Sequence, residues 1–207
     1  MADLFVAEDQ RPRCRWAGSA PEFLDYHDKE WGFPVVDDQR LFEKLCLESF
    51  QSGLSWRTIL AKRENFRAAF AGFDFNEMAK FGPAEVEGLM GNKGIVRHRG
   101  KIEAVINNAI CAQNLVAEAG SLAQFVWSFE PDPNTLPEPQ TQSTSQESIA
   151  LSKALKKRGW KFVGPTTVFA FMQAMGLVND HAIGCCQRAR AKEMRASFKR
   201  PSPPSLP

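Results

Sequence analysis

The chain has 207 residues, a formal net charge of +2, 43% hydrophobic and 24% charged residues, which is ordinary globular usage with enough apolar material for a large core. No apolar run approaches the roughly 18 residues of a membrane span, and Met1–Gln10 carries Asp3, Glu8 and Asp9 with no long apolar stretch, so neither a membrane protein nor a signal peptide is expected. Five cysteines scattered at 14, 46, 111, 185 and 186 do not make a disulfide scaffold, and a reduced, cytoplasmic protein is expected.

Residues 1–12 are expected to form a flexible N-terminus. From Asp37 the apolar positions Leu41, Phe42, Leu45, Cys46 and Phe50 fall at helical spacing, with Asp37 or Asp38 as N-cap. Short helices are expected near 54–62, 65–71, 74–80 and 83–90, punctuated by Gly53, Gly72, Gly82, Gly91 and Gly94. A longer helix fits Arg99–Ala119 and another Leu122–Phe129. No two-residue alternation stands out, so few or no strands are expected and the class is all-α. Residues 130–148 hold four prolines and many Ser, Thr and Gln, the composition of an exposed crossover loop. Two further helices, Ser148–Arg158 and Thr166–Met175, flank a tight turn at Gly159–Pro165. Residues 13–187 therefore read as one helical domain, followed by a basic tail at 188–207 with Arg188, Arg190, Lys192, Arg195, Lys199 and Arg200, whose last part ends in Pro and Ser and is expected to fray.

Between Glu147 and Asp180 there is no acid, and Lys153, Lys156, Lys157, Arg158 and Lys161 are basic. A helix–turn–helix of this kind (about 149–175) points backbone N–H groups and the positive end of a helix outward at Val163, Gly164, Thr166 and Thr167, an anion site that suits DNA phosphate. An ordinary hairpin with solvated lysines fits the pattern equally well. A second acid-free stretch, Gly88–Ile102, carries Lys93, Arg97, His98, Arg99 and Lys101, and the two together suggest a basic face on a nearly neutral chain.

Twelve residues separate Cys14 from His27, and His181 and Cys185 stand at i and i+4, on one face if that segment is helical. These are the ligand types of a closed tetrahedral zinc site, which would staple the two ends of the chain together. The alternative is four residues that never meet. Cys186 would point about 100° away from Cys185 on a helix, and Cys46 and Cys111 fall on apolar helix faces and read as core.

Tyr26, Trp31 and Trp56 bracket the helix that carries Glu48. Leu41, Leu45 and Glu48 stand at i, i+4 and i+7, so the carboxylate continues an apolar stripe. It is either paired in the core with a nearby Lys or Arg or exposed to a cavity. An acid beside large π faces suits a flat, cationic, hydrogen-bonding ligand. The turn Gln51–Trp56 follows with one apolar tip, Leu54.

The segments Cys14–Trp16, Tyr26–Gly32, Leu47–Trp56, Arg97–Lys101, Leu151–Gly159, Phe162–Thr166 and Val178–His181 resemble the bacterial DNA-3-methyladenine glycosylase I family. The resemblance runs from about residue 13 to residue 186. It implies an all-α helix-hairpin-helix glycosylase fold with a zinc clasp, structural Zn²⁺ held by Cys14, His27, His181 and Cys185, and a pocket for a flipped base lined by Glu48, Tyr26, Trp31 and Trp56. Phe23 stands where the family often has Tyr, which keeps stacking and loses a hydroxyl. Ser49, Phe50 and Ser52 also depart from the pattern.

The activity so implied is base-excision repair: hydrolysis of the N-glycosidic bond of 3-methyladenine in double-stranded DNA, releasing the free base, by a monomer. Methylation makes the base cationic and a good leaving group, so π faces and a carboxylate suffice in the pocket. Glu48 is the expected principal carboxylate and Asp180 the alternative, although Asp180 adjoins His181 and would then only orient it. Leu54 is the expected plug for the vacated stack, with Gln51, Arg97, Arg99, Lys101 and the hairpin backbone on the DNA. No lysine after the hairpin is placed for a Schiff base, so a monofunctional enzyme is expected. The competing readings are a zinc-stapled DNA-binding protein without catalysis and a glycosylase for another alkylated purine.

Overall fold

Helix α2 (Asp38–Gln51) is the centre of the molecule. The Asp37 carboxylate caps it by accepting from Arg40 N at 2.8 Å, and every residue from Leu41 to Phe50 is buried. A helix buried on all faces needs neighbours on all sides, and α2 packs against α3 (Trp56–Ala61), α7 (Arg99–Ala119), α8 (Leu122–Trp127) and α10 (Pro165–Ala174). Asp38 caps α8 in turn, accepting from Leu122 N and Ala123 N. The remaining helices are α1 (Pro21–Lys29), α4 (Arg63–Ala69), α5 (Phe75–Met78), α6 (Pro83–Gly91), α9 (Gln146–Lys157) and α11 (Arg188–Ser197), with short 3-10 turns at Arg15–Gly18 and Ala71–Phe73. This computed structural model describes residues 4–201, and among them no helix is long and apolar enough to cross a membrane.

The abundant phenylalanines have a place in this core. Phe50, Phe66, Phe70 and Phe73 are fully buried and in successive ring contact at 4.7, 6.2 and 5.8 Å. Cys46 and Cys111 are buried on helix faces, as their positions imply.

Three departures from the sequence reading are local. Leu4–Val6 and Pro12–Cys14 form strands β1 and β2 of an antiparallel ladder, so the N-terminal segment has regular structure from Leu4; residues 1–3 lie outside the described residues. Three-residue strands are too short to show alternation, and the hairpin is held by the Phe5 ring against Gly18, where a Cβ would meet it at 2.4 Å. The basic tail is helical as α11, tied down by Arg195 and Arg200 on Glu130 and by the Arg195 guanidinium over Trp127; the expected fraying of its end falls mostly on residues 202–207, outside the described residues. The segment 181–187 is a series of turns, not a helix, with Gly184 at φ +89°.

The turn between α9 and α10 is pinned from inside. The side-chain amide of buried Asn108 bridges the Lys161 backbone, accepting from its N and donating to its O. Ser152 Oγ donates to Val163 O at 2.6 Å and Ser49 Oγ to Phe162 O at 3.1 Å. Helix α10 begins at Pro165 with no side-chain cap. Val163 is core, while Phe162 and Thr166 are exposed.

Candidate functional site

The two ends of the chain meet at a buried cluster. Cys14 ends β2, His27 lies in α1, and His181 and Cys185 lie in the turns after α10; their ligand atoms all fall within 4.8 Å of one another. The turn at Ala182–Cys185, closed by Cys185 N donating to Ala182 O, brings His181 and Cys185 together without a helix. Cys185 Sγ is 3.5 Å from His27 Nε2 and 3.6 Å from His181 Nδ1, and Cys14 Sγ is 3.7 Å from His181 Nδ1. A tetrahedron with metal bonds of about 2.0–2.3 Å has corners about 3.3–3.8 Å apart; these three separations fall in that range, so the donor set can hold a four-coordinate ion. Cys14 and Cys185 are both free thiols, and the hydrogen bond between them pushes the Cys14 thiol far up and pulls Cys185 far down.

Two groups orient the cluster. The second nitrogen of His27 donates to Asp28 at 2.8 Å, and the Arg13 guanidinium binds both oxygens of Asp28 as well as Asp9. Gly32, at φ +84°, lies against His181, where a Cβ would meet Nε2 at 2.7 Å. Cys186 is outside the cluster, its N donating to Pro12 O.

The imidazoles are one side of an aromatic wall. The Trp31 ring stacks on His27 at 6.3 Å and meets His181 edge-on at 4.8 Å; Trp16 meets His27 at 5.2 Å and Trp31 at 5.1 Å. On the far side of Trp16 and Trp31 opens a cavity of about 370 Å³, lined also by Phe23, Tyr26, Glu48, Gln51 and Trp56, and by Gln140, Gln142, Ala170, Gln173 and Asp180. That volume is within the usual range for small-molecule pockets.

Glu48 satisfies both alternatives left open by the sequence. It lines the cavity and is paired, its Oε1 2.7 Å from Lys44 Nζ, with both side chains buried. Lys44 also donates to Tyr26 Oη at 2.6 Å and stands 3.4 Å from the Trp56 ring centroid. Burial pulls the Lys44 ammonium below the usual lysine range, against the opposing pull of Glu48. Burial, then the Glu48 charge, pushes the Tyr26 hydroxyl well up, so it keeps its proton. The indole N–H of Trp56 is buried without a partner.

Asp180 is buried at the same cavity, and burial raises its carboxyl above the usual range. Its oxygens accept from Gln140 N at 2.8 Å and from Gln173 Nε2 at 2.6 Å. It therefore anchors the 130–145 crossover to the cavity wall, and its hydrogen bonds do not go to the His181 ring.

The sequence reading is brought together for Tyr26, Trp31, Trp56, Phe23, Glu48 and Asp180, and for the four cluster residues. Gln51, expected on DNA, lines the cavity. Leu54 is 41% exposed on its turn, after Gly53 at φ +78°. Arg97 and Arg99 are exposed, Arg99 paired with Glu87. Lys101 is a correction: it is buried, and its ammonium caps the C-terminal end of α2 by donating to Phe50 O and Ser52 O, which removes it from any phosphate. Trp16, Lys44, Gln140, Gln142 and Gln173 were missed. Lys44 had a signal, since it precedes Glu48 by one helical turn; the glutamines had none, because they arrive from a loop and from the face of α10.

The methyladenine glycosylase family profile matches residues 16–188. Curated relatives include DNA-3-methyladenine glycosylase of Haemophilus influenzae, 48% identical over 84% of this chain and 96% of its own length, and DNA-3-methyladenine glycosylase 1 of Escherichia coli, 49% identical over 84% and 95%. Among solved structures, a 3-methyladenine DNA glycosylase I crystal structure aligns with a TM-score of 0.78 at 48% identity, covering 84% of this chain and 98% of that one. The Staphylococcus aureus enzyme, whose structure concerns 3-methyladenine recognition, aligns with a TM-score of 0.78 at 36% identity, covering 85% and 96%. A buried cluster of two cysteines and two histidines, an aromatic cavity with a carboxylate at its wall, and matches across nearly the whole of these relatives converge on one statement: the chain belongs to the methyladenine glycosylase family.

Proposed function

We propose that this protein is a monofunctional DNA glycosylase that hydrolyses the N-glycosidic bond of 3-methyladenine in double-stranded DNA as the first step of base-excision repair, acting as a cytoplasmic monomer. The observation that carries the reading is the cavity: five aromatic side chains, Trp16, Phe23, Tyr26, Trp31 and Trp56, around the carboxylate of Glu48. A cationic flat base gains roughly 0.5–2 kcal/mol from each π face it meets, and Glu48 accepts from its N–H groups. A base inside a duplex cannot enter such a cavity, so it must be flipped out.

The DNA side of the reading rests on surface features. The α9–α10 pair acts as a helix-hairpin-helix that holds phosphate through the backbone at Gly164, Thr166 and Thr167, with Val163 anchoring the turn in the core. Arg97 and Arg99 are exposed cations for the flanking backbone, and Leu54 fills the space left by the base. With the base held, water attacks a sugar carrying positive charge, which Asp180 and Glu48 stabilise from the cavity wall.

The ion that fits the cysteine–histidine cluster is Zn²⁺, held by Cys14, His27, His181 and Cys185. Bound there it supplies a cross-link between the chain's ends, four protein ligands leaving no open position for chemistry. The residues themselves keep the Trp16–Trp31 wall in place through ring contacts.

Incubating the protein with methylated duplex DNA and separating the released bases tests the reading. 3-Methyladenine is the expected product. Glu48→Gln is expected to lower its release roughly 10–100-fold, the worth of a hydrogen bond to a charged group. Release of another alkylated purine instead reassigns the substrate. Binding to DNA with no base released returns the protein to a non-catalytic DNA-binding role.

A further inference from the structure

Lys44 is a charged side chain in the core, 5% exposed, and it does not line the cavity. Its Nζ is 2.7 Å from Glu48 Oε1, 2.6 Å from Tyr26 Oη and 3.4 Å from the Trp56 ring centroid. An ammonium has three hydrogens and no lone pair, and these three neighbours engage all three. They are also three walls of the cavity.

The arrangement decides which groups remain for a ligand. Tyr26 Oη accepts from Lys44, so its own hydrogen must point elsewhere, and burial keeps that hydrogen on the oxygen. Glu48 Oε1 is committed to Lys44, which leaves Oε2 as the free acceptor. The ammonium also offsets part of the carboxylate's charge, so the Glu48 wall is less anionic than a lone carboxylate would make it. A bare buried anion attracts any cationic base whatever its edge, whereas a paired carboxylate beside a donor discriminates more by edge.

We propose that Lys44 is a positioning residue that sets specificity, by fixing Glu48 as acceptor and Tyr26 as donor so that the cavity reads a 6-aminopurine edge and rejects a 6-oxopurine. On a 6-aminopurine an N–H donor stands beside a ring-nitrogen acceptor, which matches the pair. On a 6-oxopurine an oxygen lone pair faces the carboxylate. This inference rests on the glycosylase reading of the cavity.

The test compares wild type with Lys44→Met, which keeps length and removes all donors, and Lys44→Gln, which keeps an N–H donor without charge. From one methylated DNA, the ratio of 3-methyladenine to 7-methylguanine released is measured, with kcat and KM for each. Binding of free adenine and hypoxanthine is followed by tryptophan fluorescence. Both preferences are expected to fall on the order of tenfold in Lys44→Met and to stay within about threefold of wild type in Lys44→Gln, since a site's unpaired polar groups carry such discrimination. Unchanged preferences in Lys44→Met, even with lower activity or stability, overturn the proposal, as does an equal loss of preference in Lys44→Gln. If Lys44→Met does not fold, Tyr26→Phe decides: it must lower the same preferences, and unchanged ratios overturn the proposal. Should wild type release no methylated base, the glycosylase reading fails, while the adenine–hypoxanthine comparison still judges Lys44.

Discussion

In the cysteine–histidine cluster, four side chains from the two ends of the chain meet within 4.8 Å and are closed off from solvent; in the cavity next to it, residues from α1, α2, α3, α10 and the crossover loop leave polar groups turned towards open space. The cluster's donors face one another. The cavity's are paired through Lys44, which engages Glu48 and Tyr26, while the Trp56 N–H is buried without a partner. Buried polar groups are nearly always satisfied, so an unpaired donor on a residue of the cavity wall is a group that a ligand would complete. The regions share the Trp16–Trp31 wall, and the sharing is directional. The cluster supports the wall, while Glu48 is paired with Lys44, outside the cluster. Damage to the cluster should reach the cavity; damage to the cavity should leave the cluster intact.

The largest effect therefore belongs to the cluster. Cys14→Ala and His181→Ala are each expected to lose bound zinc and to destabilise the fold by several kcal/mol, roughly 10 °C or more in Tm, with loss of base release as the wall moves. Metal analysis and thermal unfolding check this. Glu48→Gln should keep one equivalent of metal. One equivalent retained in both cluster variants would break the comparison, since the four residues would then be ordinary core.

A smaller effect sharpens it. Asp28 is not a cluster member, but its carboxylate receives the second N–H of His27 and is itself gripped by Arg13. Burial works against its charge, yet the hydrogen bonds from Arg13 and His27 hold the carboxyl below the usual range. Asp28→Asn keeps the shape and removes the charge. Zinc affinity is expected to fall about 10–100-fold, measured by competition with a chelator, with base release restored when zinc is added in excess. Activity that stays lost at saturating zinc would mean that Asp28 acts on the cavity by another route.

The two regions were also unequally legible. The cluster could be read from four residues of two scarce types near the chain's ends, because metal ligands are few and specific. The local route differs from the helical one that the i, i+4 spacing offers: at His181–Cys185 turns with Gly184 at φ +89° bring the pair together. Helices α2 and α7 are legible from apolar spacing, α2 also from its cap at Asp37; the His98 cap of α7 is seen only in the structure. In the cavity, Glu48 was visible as an acid on an apolar stripe, but its partner was not singled out, because a lysine one turn away is as often a solvated surface residue. Lys101 shows the reverse error. It was assigned to DNA by its company of exposed cations, and burial sends it instead to the carbonyls at the end of α2. Charge spacing gives the direction of a side chain only where the helix's buried face is known. Gln140 and Asp180 meet across forty residues, a long-range contact that no local pattern encodes.

Leu54 gives the smallest expected effect and separates the cavity from the DNA surface around it. It stands 41% exposed, outside the cavity lining, on a turn made rigid from below: Lys101 binds the Phe50 and Ser52 carbonyls, Leu54 N donates to Gln51 O, and Gly53 takes φ +78°. A large apolar side chain held out on a fixed turn costs solvation in the free protein and regains it by inserting into a stack. Full burial of such a side chain is worth roughly 1.5–3 kcal/mol. Alanine keeps part of that, so Leu54→Ala is expected to lower base release from duplex DNA about tenfold. Free 3-methyladenine binding, zinc content and Tm should remain at wild-type values, because the turn's hydrogen bonds involve only backbone and Lys101. Equal losses in free-base binding and in release would place Leu54 in the cavity wall, and the boundary between binding the base and extracting it would have to move inward to Gln51.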